Sequence, residues 1–165
     1  MTRRLIIMRH AKSDWANSAL SDHERPLNDR GRRVAPQMGK FFASQKMHPQ
    51  AVIGSTATRV RETLSLLLAE LPCEPQLFFE QSLYLATAET LVAHVRGLHD
   101  SWNETLLVGH NPGLSELVSH LAGKPIEMPT AAVAIFQSNA SSWSDAVSSK
   151  SWQLTANWNP RELFK

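Results

Sequence analysis

The sequence predicts a single α/β domain over residues 1–165, a three-layer sandwich with a mostly parallel central sheet and helices on both faces. Three observations carry this. Short apolar runs alternate with amphipathic stretches along the chain, the order expected of successive βα units. A length of 165 residues fits one domain, and a chain of that size buries roughly 70% of its unfolded surface. No internal repeat or interdomain linker interrupts the pattern.

The elements follow in order. Leu5–Met8 reads as a first, buried strand. After a polar loop, Asn28 can cap a helix whose apolar positions Val34, Met38, Phe41 and Phe42 recur at helical spacing. Pro36 lies inside that stretch and predicts a kink or a late start. Ala51–Gly54 is a second short strand, followed by a helix with Val60, Leu64, Leu67, Leu68 and Leu71 on one face. Leu77–Phe79 predicts a third strand and Ala88–Leu98 a helix. Thr105–Val108 predicts a fourth strand, with a helix carrying Leu114, Leu117, Val118 and Leu121 behind it. Ala132–Phe136 and Trp152–Ala156 read as late strands. The Ser-rich segment Ser138–Ser151 between them reads as an exposed loop.

Composition narrows the function classes. With 42% hydrophobic and 19% charged residues the chain is an ordinary globular protein. No run approaches the roughly 18 apolar residues of a membrane span, and the start lacks the features of a secretory signal. The single Cys73 allows no intramolecular disulfide and no Cys-based zinc site, so a reducing cytoplasm is the expected location. The net charge of +2 is unevenly distributed. Residues 1–61 carry twelve Lys/Arg against four Asp/Glu, and the remainder five against eleven. A basic first third suits an anionic partner such as a phosphate group. Nucleic acid fits less well, because no nucleic-acid-binding motif is present and no aromatics are interleaved with the basic residues. Part of the excess is a solvated helix face with Arg30, Arg32 and Arg33.

Three segments concentrate the chemistry. Met8-Arg9-His10-Ala11-Lys12-Ser13 directly follows the first strand, and ligands of open α/β sheets bind beyond the carboxyl ends of strands. Alone, an Arg-His pair there is more often plain loop polarity. The second segment is Ser55-Thr56-Ala57-Thr58-Arg59-Val60-Arg61-Glu62-Thr63. Ser55 or Thr56 can cap the helix that begins there. Arg59 and Arg61 lie near the positive end of its dipole, which costs a few tenths to about 1 kcal/mol unless an anion joins them. The third is Val108-Gly109-His110-Asn111-Pro112-Gly113. Asn111 as N-cap and Pro112 as first helical residue account for two of its positions, but not for His110.

Taken together, Arg9-His10, Ser55-x-x-x-Arg59-x-x-x-Thr63 and Gly109-His110-Asn111 resemble the histidine phosphatase superfamily, the phosphoglycerate-mutase-like group, in order and interval. Within it the chain looks like the SixA-type phosphohistidine phosphatases. Arg9 to Ser13, Arg25-Pro26-Leu27-Asn28-x-x-Gly31, Leu83-Tyr84-x-Ala86, Gly109 to Gly113, Pro129-Thr130 and Pro160-Arg161-Glu162-Leu163 all match that branch, so the resemblance spans essentially the whole chain. Mutases follow Arg-His with Gly, an acidic or amide residue and Trp-Asn, whereas this chain has Ala11, Lys12 and Trp15-Ala16. No large insertion is available to build a lid over a small metabolite.

The resemblance implies a phosphatase with His10 as a transiently phosphorylated nucleophile, with Arg9, Arg59 and His110 around the phosphate. Elementary chemistry agrees. Neutral imidazole is a competent nucleophile, and catalysis of phosphoryl transfer is mainly positioning and charge stabilisation. Arg9 and Arg59 offer permanently charged planar donors. His110 adds a further donor if protonated, with the anion favouring and the helix N-terminus opposing its charge. Ser13 is a further candidate phosphate ligand. For a leaving-group acid, Glu80 lies near the position the superfamily uses, with Glu89 and Asp22 as fallbacks; an exposed carboxylate is an equally good account of each. His23, His48, His94, His99 and His120 read as surface or helix-face residues. No metal or other cofactor is expected, since His10 and His110 lack an obvious third ligand. The expected substrate is phosphohistidine in a protein. A small phosphorylated metabolite is the second possibility, and a phosphoprotein-binding module without turnover the third.

Overall fold

A computed structural model describes residues 1–165, and at its centre six strands form one sheet. They are β1 (Arg3–Arg9), β2 (Ala51–Ser55), β3 (Gln76–Glu80), β4 (Glu104–Gly109), β5 (Val133–Ser138) and β6 (Gln153–Trp158), ordered 3-2-4-1-5-6 across the sheet. The pairs β2·β3, β2·β4 and β1·β4 are parallel; β1·β5 and β5·β6 are antiparallel. The mostly parallel sheet expected from the alternating pattern is therefore present, with an antiparallel flank formed by the last two strands. The predicted strands lie within these elements or within a residue of them.

Strand β1 explains why the sheet is covered twice. Its side chains alternate between faces. Leu5 and Ile7 join one apolar cluster with Leu91, Leu117, Phe136 and Trp143, while Ile6 and Met8 join another with Met38, Phe42, Leu64 and Leu67. All four are fully buried, which is why the strand reads as a continuous apolar run rather than an alternating one. Helices α1 (Asp29–Ser44) and α2 (Thr58–Leu68) cover one face. Helices α3 (Ala88–Arg96), α4 (Gly113–Ala122) and α5 (Trp143–Ser148) cover the other. A last short helix, α6 (Pro160–Leu163), follows β6. No helix is long and apolar enough to cross a membrane.

Several local expectations need correction. Asn28 does cap α1, accepting from Gly31 N at 2.9 Å, but the helix neither starts late nor breaks at Pro36. Burial of Ala35, Met38 and Phe42 on its inner face offsets the lost hydrogen bond, a proline cost of about 3 kcal/mol. The Ser-rich segment is not simply a loop. Ser142 caps α5 through Asp145 N, and Trp143 is fully buried with its indole N–H donated to the Trp102 carbonyl at 2.9 Å. One aromatic outweighed the polar composition around it. Helix α4 begins at Gly113, after a cis Asn111–Pro112 bond, so Pro112 precedes the first helical residue. The N-cap residue is therefore Pro112 rather than Asn111, although Asn111 Oδ1, one residue earlier, accepts from Ser115 N at 3.1 Å.

Candidate active site

Because β2, β4 and β1 are parallel neighbours, their carboxyl ends open at the same edge of the sheet. Arg9 pairs in register with Gly109, so the two residues that follow, His10 and His110, emerge side by side with ring centroids 5.2 Å apart. Ser55 ends β2, and Arg59 is the second residue of α2 behind it. Arg9, His10, Ser13, Arg59 and His110 all line one cleft of about 290 Å³. Five of the six site residues expected from sequence are brought together.

His10 is held at the cleft floor with a defined tautomer. It is 5% exposed, and its Nδ1 lies 2.7 Å from the Ala11 carbonyl, which only accepts; Nδ1 therefore carries the proton. Arg59 Nε donates to His10 Nε2 at 3.3 Å, which leaves Nε2 the unprotonated nitrogen. Burial, helped by the charges of Arg59 and Arg9, lowers its pKa to about 3. The ring is neutral near neutral pH.

The loop carrying His10 is fastened to α2 by one side chain. Thr63 Oγ1 accepts from Ala11 N at 3.0 Å and donates to the Arg59 carbonyl at 2.6 Å, joining the backbones of both cleft segments. Gly31 lets α1 close against the same loop, because a Cβ there would fall 2.2 Å from the Lys12 carbonyl.

Arg59 is 3% exposed and reaches every side of the cleft floor. Besides His10, its Nη2 donates to His110 Nδ1 at 3.2 Å and to Asp22 Oδ2 at 3.0 Å, and Nη1 to the Asp22 carbonyl at 2.7 Å. The nitrogen of His110 facing Arg59 is thus an acceptor, so its proton sits on Nε2 and is donated to Ser55 Oγ at 2.6 Å. Burial first, then Arg59, lowers the His110 pKa to about 3. Burial and the Arg59 donor on Nδ1 both favour neutral His110 in the free protein. Arg9 gives Nη1 to the Met128 carbonyl at 3.3 Å, while its buried Nε has no partner. Burial and the nearby Arg59 lower the Arg9 pKa.

Asp22 ties the cationic side together. It accepts from Arg59, from Arg25 Nε and Nη2 at 3.1 and 2.9 Å, and from the Tyr84 hydroxyl. Partial burial works to raise its pKa, but the bonds from Tyr84, Arg25 and Arg59 hold the carboxyl well below the usual range. Arg25 also donates to Ser13 Oγ at 3.0 Å and lies 3.3 Å over the Trp15 ring.

The acid expected at Glu80 is the exception among the site residues. It ends β3, the edge strand, is exposed and does not line the cleft, because β3 stands one strand beyond Ser55. Glu89, in the first turn of α3, does not line it either; of the three carboxylates considered, only Asp22 does. Arg61 also turns away, with Nε donated to the Thr56 carbonyl and its guanidinium 4.1 Å from the Phe79 ring. Ser55, Arg25 and Tyr84 join the site without having been singled out as site residues. All three stand in the motifs that carry the family resemblance; Ser55 is also a helix-cap candidate by sequence, yet α2 has no side-chain cap. No group of three His, Cys, Asp or Glu side chains is arranged to hold a metal ion.

Comparison with known proteins identifies relatives. A model of the histidine phosphatase superfamily, branch 1, matches residues 5–78. An uncharacterized chloroplastic protein of Arabidopsis thaliana is 33% identical over 155 residues, 88% of this chain and 71% of the relative. The solved structure of the protein histidine phosphatase SixA complexed with tungstate superposes with a TM-score of 0.83 at 21% identity, covering 97% of this chain and 99% of that one. A structure from Agrobacterium tumefaciens with a provisional assignment as phosphohistidine phosphatase SixA gives 0.83 at 24% identity, over 96% and 98%. At such identities these two likenesses establish the shared fold.

Proposed function

The chain belongs to the histidine phosphatase superfamily, and from that premise we propose that it removes phosphate from phosphohistidine in a protein, through a phosphorylated His10. The observation that carries the reading is the tautomer of His10: Nε2 is unprotonated at the floor of a cleft lined by Arg9, Arg59 and His110. In the first step Nε2 attacks phosphorus and forms a P–N bond, while the P–N bond to the substrate imidazole breaks. The P–N electron pair stays with the departing ring, which leaves as neutral imidazole because its other nitrogen has already taken a proton from solvent. Water then attacks phospho-His10, the new P–N bond breaks, and inorganic phosphate is released. Arg9, with its unpartnered Nε, and Arg59 stabilise the equatorial oxygens. His110 is neutral beforehand and gains a proton more readily once the phosphate anion is beside it. The chemistry requires no cofactor.

Two features support phosphohistidine as the substrate class. An alkyl phosphate needs a positioned acid to protonate its leaving oxygen, help worth about 10²–10⁴-fold, whereas a phosphohistidine ring protonated by solvent on its other nitrogen leaves as neutral imidazole. The cleft's carboxyl, Asp22, is held ionised by Tyr84, Arg25 and Arg59 and has no proton to give. The cleft mouth also carries two apolar side chains, Trp15 and Leu85, which are 70% and 53% exposed and suit contact with a protein surface. The unpaired Cys73 fits a reducing cytoplasm.

Comparing purified enzyme on a phosphohistidine peptide and on sugar phosphates tests the reading. The peptide is expected to give the higher kcat/KM by at least about two orders of magnitude. Fast turnover of a sugar phosphate with little on the peptide would reassign the site to a small-molecule phosphomonoesterase.

A further inference from the structure

Beside the cleft a second, smaller recess opens between the loop after β1, the start of α1 and the start of α6. Lys12 and Thr130 line both, so the recess adjoins the cleft. The far side of the recess carries Arg30 and Arg161. No carboxylate lines it. In the main cleft Arg25 and Arg59 are both paired with Asp22, while Arg9, like the cations of the recess, has no carboxylate partner.

Lys12, Arg30 and Arg161 are exposed and belong to none of the ion pairs of the protein, which use Arg3, Arg4, Arg25, Arg32 and Arg59. Asp29, the acidic neighbour of Arg30, is paired with Arg32 at 3.3 Å. The frame that presents these cations is well tied. Asn28 N donates to the Lys12 carbonyl at 3.0 Å, Gly31 presses α1 against the same residue, and Asn159 Oδ1 accepts from Arg161 N at 3.1 Å. Three unpaired like charges around one recess repel one another, a cost relieved when an anion enters.

We propose that the exposed rim of this recess, carrying Lys12, Arg30 and Arg161, is a substrate subsite for an acidic side chain, Asp or Glu, that flanks the phosphohistidine on the substrate protein. The proposal rests on the protein-phosphohistidine reading above and adds a sequence preference to it. Adjacency to the cleft is the reason for assigning the anion to the substrate itself: Lys12 lines both, so a carboxylate resting on the rim belongs to the molecule whose phosphate faces His10. Exposed charge pairs are individually weak, so an acidic flank improves kcat/KM by roughly threefold to tenfold, mostly through KM. The gain fades as salt shortens the screening length from about 8 Å toward about 3 Å.

The test uses three phosphohistidine peptides that differ only in a flank of two Glu, two Gln or two Lys, assayed with wild type, Arg30→Ala, Arg161→Ala and Arg161→Glu. Wild type is expected to rank Glu above Gln above Lys, with the ranking compressed in about 1 M salt. In Arg30→Ala and Arg161→Ala the Glu and Gln peptides converge through a raised KM on the Glu peptide, and Arg161→Glu shifts the preference toward Lys. Because both arginines are exposed, circular dichroism suffices to verify that the variants fold. Equal turnover of the three peptides by wild type overturns the subsite and leaves the phosphohistidine reading standing. Turnover of none, with sugar phosphates or a bisphosphate hydrolysed instead, overturns the phosphohistidine reading and the subsite with it.

Discussion

Arg59 Nε donates to His10 Nε2 across 3.3 Å, a permanent cation directed at the lone pair of a buried imidazole. The contact fixes which nitrogen is free of its proton, and burial, with the charge of Arg59 adding to it, keeps both His10 and His110 from gaining one. It also puts the guanidinium where a phosphate attacked by Nε2 would meet it.

Replacing Arg59 therefore acts on rate and on titration together. Arg59→Ala is expected to lower kcat/KM by at least about 10²-fold, the scale of a lost transition-state donor, and Arg59→Lys by less, since it keeps charge without the planar fork. In the same variant the pKa values of His10 and His110 should rise from about 3, read from imidazole NMR shifts. Unmoved histidine titrations would show that Arg59 does not set the protonation of the pair.

The two buried histidines predict how stability depends on pH. Both have folded pKa values near 3 against an ordinary 6.5, so the unfolded chain binds protons that the folded one refuses. Their contribution is complete above pH 6.5 and is lost as the pH falls toward 3, at up to about 1.4 kcal/mol per pH unit for each group. Melting temperature should fall steadily from pH 7 to pH 5, before most carboxylates titrate. A His10→Asn, His110→Gln double variant should show a flatter profile; an equally steep one would assign the effect to other groups.

Thr63 offers a test of how the site is held. Thr63→Val keeps the shape but strands the buried Ala11 N–H, at a cost of about 1–3 kcal/mol, and frees the loop that carries His10. Thr63→Ser retains the hydroxyl and should retain most of the activity. If Val and Ser behave alike in melting temperature and kcat, the hydroxyl is not the fastener.

Much of this site is legible in the sequence because its parts are contiguous. Arg9-His10, Ser55 to Thr63 and Gly109-His110 each sit where a strand ends, and adjacency of β2, β4 and β1 follows from the parallel pattern. Asp22 could be considered only as a fallback acid, because its role depends on long-range partners, Arg59 and Tyr84, 37 and 62 residues away. Glu80 lies outside the cleft because β3 is an edge strand, which position along the chain does not reveal. Helix α5 was hidden in a Ser-rich run for a different reason. It is six residues long, so Trp143, Ala146 and Val147 supply one i, i+3, i+4 set with no second turn to extend the period.

Asp22 separates acid catalysis from charge support. If the substrate is phosphohistidine, Asp22→Asn should keep turnover within about tenfold of wild type, and Glu80→Gln should be indistinguishable from it. A loss of 10²–10⁴-fold in either variant, the range of a missing general acid or base, would mean that a carboxyl delivers a proton after all.

The most direct test of the account is to trap the intermediate. Enzyme mixed with radiolabelled phosphohistidine peptide and quenched in alkali, where phosphohistidine survives and phosphoserine does not, should carry label on the peptide containing His10. The label should disappear as unlabelled substrate is turned over, and His10→Asn should remain unlabelled. Label on another residue, or full turnover by folded His10→Asn, would contradict the assignment of His10 as the nucleophile.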